Sequence, residues 1–146
     1  MAAGMTVYAQ AGSIALDPTR LGAWSKPSSV GITDIDNYFD ACDTYYGQAV
    51  DIRRQYETVA SSGGGSDAGA ARSAYEKLIE RIDRQQEIVS RLRDMASAAI
   101  KGVPLGLRAI QLTREINQAK DAVVAAMNEN DAVRNAARQQ LESLHN

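Results

Sequence analysis

One histidine and one cysteine are all that this 146-residue chain offers to soft metal ions or to nucleophilic catalysis. The histidine, His145, stands beside the C-terminal residue, where a helix end frays. That position excludes a di-iron bundle built on Glu-x-x-His, a histidine-ligated zinc site and a Ser-His-acid triad. Cys42 has no second cysteine to pair with, so there is no internal disulfide. It falls among apolar residues, the setting of an inert buried thiol. Gly63-Gly64-Gly65 lacks the Lys and Ser/Thr that complete a phosphate-binding loop, and it follows a helical pattern rather than a strand. Aromatics are scarce, with one Trp, one Phe and six Tyr, which suits helices better than a sheet. No run approaches the ~20 consecutive apolar residues of a membrane span. The first residues carry no basic stretch ahead of an apolar one, so no Sec-type signal peptide is expected. The predicted location is the cytoplasm, or outside it by a route that needs no such signal. The net charge of −2 argues against a dedicated nucleic-acid binder, which carries a basic excess. No catalytic, cofactor-binding or metal-ligating set emerges, and a non-enzymatic protein without cofactors is expected.

What the chain does have is heptad periodicity. Apolar or small residues recur at +3 and then +4 as Ile35, Tyr38, Cys42, Tyr45, Ala49, Ile52, Tyr56 and Val59. A second series runs through Ala68, Ala71, Tyr75, Leu78, Ile82, Gln85, Val89, Leu92, Ala96 and Ala99. A third runs through Leu105, Ala109, Leu112, Ile116, Ala119, Val123, Ala126, Asn130, Val133, Ala137, Gln140 and Leu144. A period of 3.5 keeps one stripe of a helix turned toward its neighbours. The fold class predicted is all-α: an antiparallel bundle or coiled coil of three long helices, over about 34–61, 67–101 and 104–144.

Local signals set the expected boundaries. Thr33 is the expected N-cap of the first helix, with Asp34 and Asp36 suited to its positive end. The glycine triplet ends that helix. Lys101 suits the end of the second, with Gly102 in a left-handed cap position, and Pro104 opens the third. The third helix is either one continuous rod of about 40 residues or is kinked or split at the polar run Asn128-Glu129-Asn130-Asp131. Glu80–Arg84 and Glu87–Arg91 have the spacing of helical ion pairs, worth ~0.2–0.5 kcal/mol each. Residues 1–32, rich in Gly, Pro, Ser and Thr, are expected to form an irregular or partly disordered leader, in which Asp17 and Pro18 could open a short helix over 17–24.

Seven residues stand out as candidates for interaction. Trp24 either docks onto the bundle or anchors a partner. Tyr38, Phe39, Tyr45 and Tyr46 either thicken the core or form an exposed aromatic contact patch. Gln85 and Asn130 are polar residues on otherwise apolar seams, a pattern that sets register. Unpaired and buried they would each cost ~1–3 kcal/mol, so they pair with each other, pair across a symmetry axis, or face water. Asp36, Asp40 and Asp43 share one helical face, read as a solvated acidic stripe in preference to a cation site. Residues 34–60 carry a local charge of −4 and residues 67–101 one of +1, a weak bias toward pairing of these helices.

Ala-rich seams bury little surface per residue, so association is expected to complete the bundle, by self-association or within a hetero-assembly. The layout of leader, helix, turn and helix resembles small helical proteins of bacterial specialised secretion: type III needle, rod and filament subunits, and type VII hairpins. Those hairpins carry Trp-x-Gly at the turn, where this chain has Ser62-Gly63-Gly64-Gly65-Ser66, and needle-type turns contain proline, absent here. No residue role carries over. The layout equally fits a virion protein. The expected function is thus a helical subunit of a larger assembly, such as a secretion apparatus or virion. The alternatives are an adaptor or chaperone that binds a partner helix in an interhelical groove and, behind it, a nucleic-acid-binding subunit.

Overall fold

The computed structural model describes residues 24–62 and 68–145. The expected short helix, apart from Trp24 itself, and the glycine turn lie outside these residues. Three helices make up the fold: α1 (Thr33–Ser62), α2 (Ala68–Lys101) and α3 (Ala109–His145). They are about 45, 51 and 55 Å long. Each packs against the other two. Among the described residues there is no strand.

The register of the helices is visible in their side-chain bridges. Gln86 donates to Asp131 at 3.3 Å, and one turn along Arg134 pairs with Asp83. These contacts run α2 and α3 antiparallel. Arg81 donates to Gln55 at 3.0 Å on the other side of α2. Neither Glu80–Arg84 nor Glu87–Arg91 closes to an ion pair among the described residues; the pairs that form there are Lys26–Asp40, Arg134–Asp83 between α3 and α2, and Arg134–Asp131 within α3.

The seams are buried largely as their periodicity requires. Ile35, Tyr38, Cys42, Tyr45, Ala49, Ile52 and Tyr56 line α1, and Tyr75 through Ala99 line α2 at heptad spacing. Helix α3 is wider. It buries adjacent pairs such as Ala122 with Val123 and Ala136 with Ala137, because it faces both of the other helices. The hydrophobic core divides into two clusters. One gathers Ile35, Phe39, Leu92, Leu112 and Ile116, and the other gathers Ile52, Tyr56, Leu78, Ile82 and Val133. In sequence, the buried polar residues Gln85, Glu129 and Asn130 fall between the members of these clusters.

Three expected boundaries are corrected. The Ile32 carbonyl, not Thr33, takes the first helical bond of α1, from the Asp36 amide at 2.9 Å. Gly102 has no left-handed φ: the end of α2 closes by its amide bonding to the Ala98 and Ala99 carbonyls at 3.0 and 3.1 Å. Pro104 does not open α3. The chain stays non-helical through Arg108, turning at Gly106 with φ +129°, and the Arg108 carbonyl takes the first bond, from Leu112. Of the readings open for the third helix, the continuous one holds: α3 runs unbroken through Asn128–Asp131. Glu129 and Asn130 point inward and Asp131 is bridged to α2, so none of these side chains is spent capping a new helix.

Candidate interaction surfaces

The acidic face of α1 holds the chain that precedes it. The Asp36 carboxylate accepts from the Val30 amide at 2.8 Å, the Gly31 amide at 3.1 Å and the Ser29 hydroxyl at 2.8 Å. Asp40 pairs with Lys26 at 2.9 Å, and Asp43 accepts from the Trp24 indole at 3.2 Å. Spacing at i, i+4 and i+7 thus sets three acceptors in a row, and the incoming segment is threaded along them in reverse. The amide of Val30, the Ser29 hydroxyl and the Gly31 amide hold the Asp36 carboxyl below its usual range. The Asp40 carboxylate raises the Lys26 ammonium. Gly31 takes φ +79°, which suits glycine at the bend into the helix. Trp24 is half-buried against the first core cluster. The carboxylates therefore serve the chain's own backbone, and no group of three metal-ligating side chains occurs among the described residues.

The aromatic candidates separate. Tyr38, Phe39 and Tyr45 are buried and belong to the core, while Tyr46 is half-buried beside it. Tyr38 and Phe39 pack with ring centroids 6.5 Å apart. Burial pushes the Cys42 thiol up to about 11, against a partial offset from Tyr38. That leaves it protonated and unreactive at neutral pH.

Two further surfaces are exposed, and the first overturns the seam position expected of Leu105. The first is the tip between α2 and α3. Leu105 and Leu107 are fully exposed, Ile110 is 74% exposed, and Ile100 stands at the end of α2. Arg108 donates to the Val30 carbonyl at 3.0 Å and ties the tip to the incoming segment. A cavity of about 520 Å³ lies between them, lined by Ser29, Val30, Leu107, Arg108 and Glu115. The signal was present in the sequence as two leucines flanking Gly106 behind a proline, a bracket incompatible with a helical stripe.

The second is a groove between α2 and α3. Its apolar part, about 210 Å³, is lined by Val89, Leu92, Ala96, Val123, Val124 and Met127, with Arg93 and Lys120 also on its walls. A polar part of about 290 Å³ adjoins it and is lined by Tyr45, Gln86, Ser90, Asn130 and Asp131. Tyr45 and Asn130 are each only 1% exposed. The Tyr45 hydroxyl and both polar atoms of the Asn130 amide lack a hydrogen-bond partner, as does Gln85 Oε1. Burial raises the Tyr45 phenol, and the nearby Asn130 amide draws it partly back without closing a hydrogen bond. Gln85 and Asn130 thus sit on the seams without bonding to each other.

Among the described residues, no helix is long and apolar enough to cross a membrane. No protein-family model matches this chain, and no curated protein or solved structure matches it either.

Proposed function

We propose that this chain is a non-enzymatic structural subunit of a larger protein assembly, attached to it through the apolar tip Leu105–Ile110. The observation that carries this reading is the full exposure of Leu105 and Leu107 beside Ile110 on a loop tied back to the bundle by Arg108. A partner that buries one leucine side chain gains roughly 1.5–3 kcal/mol, so a pair of leucines with an isoleucine is a sizeable anchor. Exposed apolar side chains that gather at one place, unlike ones scattered singly, mark contact sites. On the layout alone, a secretion apparatus or virion is the kind of assembly that uses such a subunit.

The test is site-specific photo-crosslinking in the cell that makes the protein. A probe at position 107 is expected to trap a defined partner, and a probe at Arg91, on the outer face of α2, is not. Leu105→Ser with Leu107→Ser should abolish the adduct while leaving the helical signal unchanged. Equal trapping at both positions would count against the reading.

An adaptor that seats a client helix is the second reading. The apolar groove beside Val124 favours it. Nucleic-acid binding has the least support, because basic and acidic residues alternate along α2.

A further inference from the structure

Four residues of α3 line the groove in one row: Lys120, Val124, Met127 and Asp131. Their spacing is +4, +3, +4, which is the heptad pattern on the side of α3 that the bundle leaves uncovered. Val124 is 54% exposed, although every other valine on α3 is buried in the core. Read in either direction, the row is an end-to-end mirror in spacing and an end-to-end complement in charge: cation, aliphatic, aliphatic, anion. Among the described residues Lys120 has no ion pair. The Asp131 carboxylate accepts from Gln86 at 3.3 Å and lies 3.8 Å from Arg134, whose main partner is Asp83, yet its side chain stays 59% exposed.

We infer that the α2–α3 groove is closed by the same groove of a second copy, with the two α3 helices antiparallel about a two-fold axis midway between Val124 and Met127. Such an axis makes every contact twice, the signature of an isologous interface. It sets Lys120 of each copy against Asp131 of the other, about 16 Å of helix apart along each α3. Val124 of each meets Met127 of the other, an aliphatic pair adjoining the apolar wall of Leu92, Ala96 and Val123. A foreign helix has no reason to match this row at both ends, whereas the row matches itself. The inference is independent of the tip, which lies at the far end of α2 and the start of α3.

The experiment measures the mass of the full chain by light scattering and sedimentation equilibrium over a roughly hundredfold range of concentration. The mass is expected to rise from 15.7 kDa to twice that value. Lys120→Glu and Asp131→Lys should each weaken the dimer at least about tenfold, since each turns two attractions into two repulsions. Mixing the two variants should restore dimers, because the introduced carboxylate of one then faces the introduced ammonium of the other while the native pair is kept. Leu105→Ser with Leu107→Ser should leave the dimer intact. A monomer at every concentration overturns the inference, whether or not a foreign helix binds the groove. A dimer indifferent to both charge reversals, or one lost with the tip leucines, also overturns it.

Discussion

The Trp24 indole donates to the Asp43 carboxylate at 3.2 Å, across nineteen positions of sequence. This bond carries the incoming chain past Lys26 and Ser29 to the Asp36 carboxylate, against the direction of the helix it is about to enter. Trp24→Ala is expected to lower stability by roughly 1–3 kcal/mol, from the apolar area uncovered at the first core cluster. Lys26→Ala should barely move the urea midpoint, because its ion pair with Asp40 is exposed and screened. Equal effects of the two substitutions would show that Trp24 is not seated as described.

Acid stability should depend on Asp36. Its folded-state pKa lies below the ordinary 3.8, chiefly through the Val30 amide. The ionised carboxylate therefore contributes stability that is complete above the unfolded value and is lost as pH falls through the folded one. Asp36→Asn should lower the melting temperature at pH 7 and flatten its decline below pH 3.8. Parallel acid limbs for the two proteins would remove this role.

Cys42 should be silent in the native protein. With its thiol pushed up to about 11 and its side chain buried, a thiol reagent at pH 8 has almost no thiolate to meet. Labelling is expected to track the unfolded fraction along a urea series. Rapid labelling without denaturant would show that the α1 core opens locally.

Two glycines should respond in opposite directions. Gly47 lies inside α1 with open space where a Cβ would go, so Gly47→Ala should add about 0.5–1 kcal/mol. Gly106 holds φ +129° at the tip, and Gly106→Ala should cost about 1 kcal/mol or more through backbone strain. Thermal melts of the pair decide both signs.

The helices were readable because burial along a rod is a periodic demand, and residues such as Ile52, Leu78 and Ile116 meet it locally. Where the third helix begins was not. Leu105 happens to keep the heptad spacing, yet Gly106 breaks the backbone just after it, so periodicity alone assigned an exposed loop residue to the core. The work of Asp36, Asp40 and Asp43 was hidden for a different reason. A row of carboxylates on a helix looks solvated until a distant segment is known to lie across it. Glu129 was read as part of a surface break, and only the packing of α3 against two helices at once turns it inward. The orphaned amide of Asn130 marks a seam position whose partner the other two helices do not provide.

The division of the core has a consequence for how the rod comes apart. Hydrocarbon packing is interrupted where Gln85, Glu129 and Asn130 fall in the three-helix stack, so cohesion does not pass evenly from one end to the other. The clasp of residues 24–31, with Arg108 closing over it, reinforces only the compartment around Phe39 and Ile116. The compartment around Tyr56, Tyr75 and Val133 has no backbone clasp of this kind among the described residues; beside its side-chain packing it has the bridges of Arg81 to Gln55 and Arg134 to Asp83. Local opening is expected to begin at that end and to stop at the polar layer, a difference that amide exchange resolved along α1 would read directly.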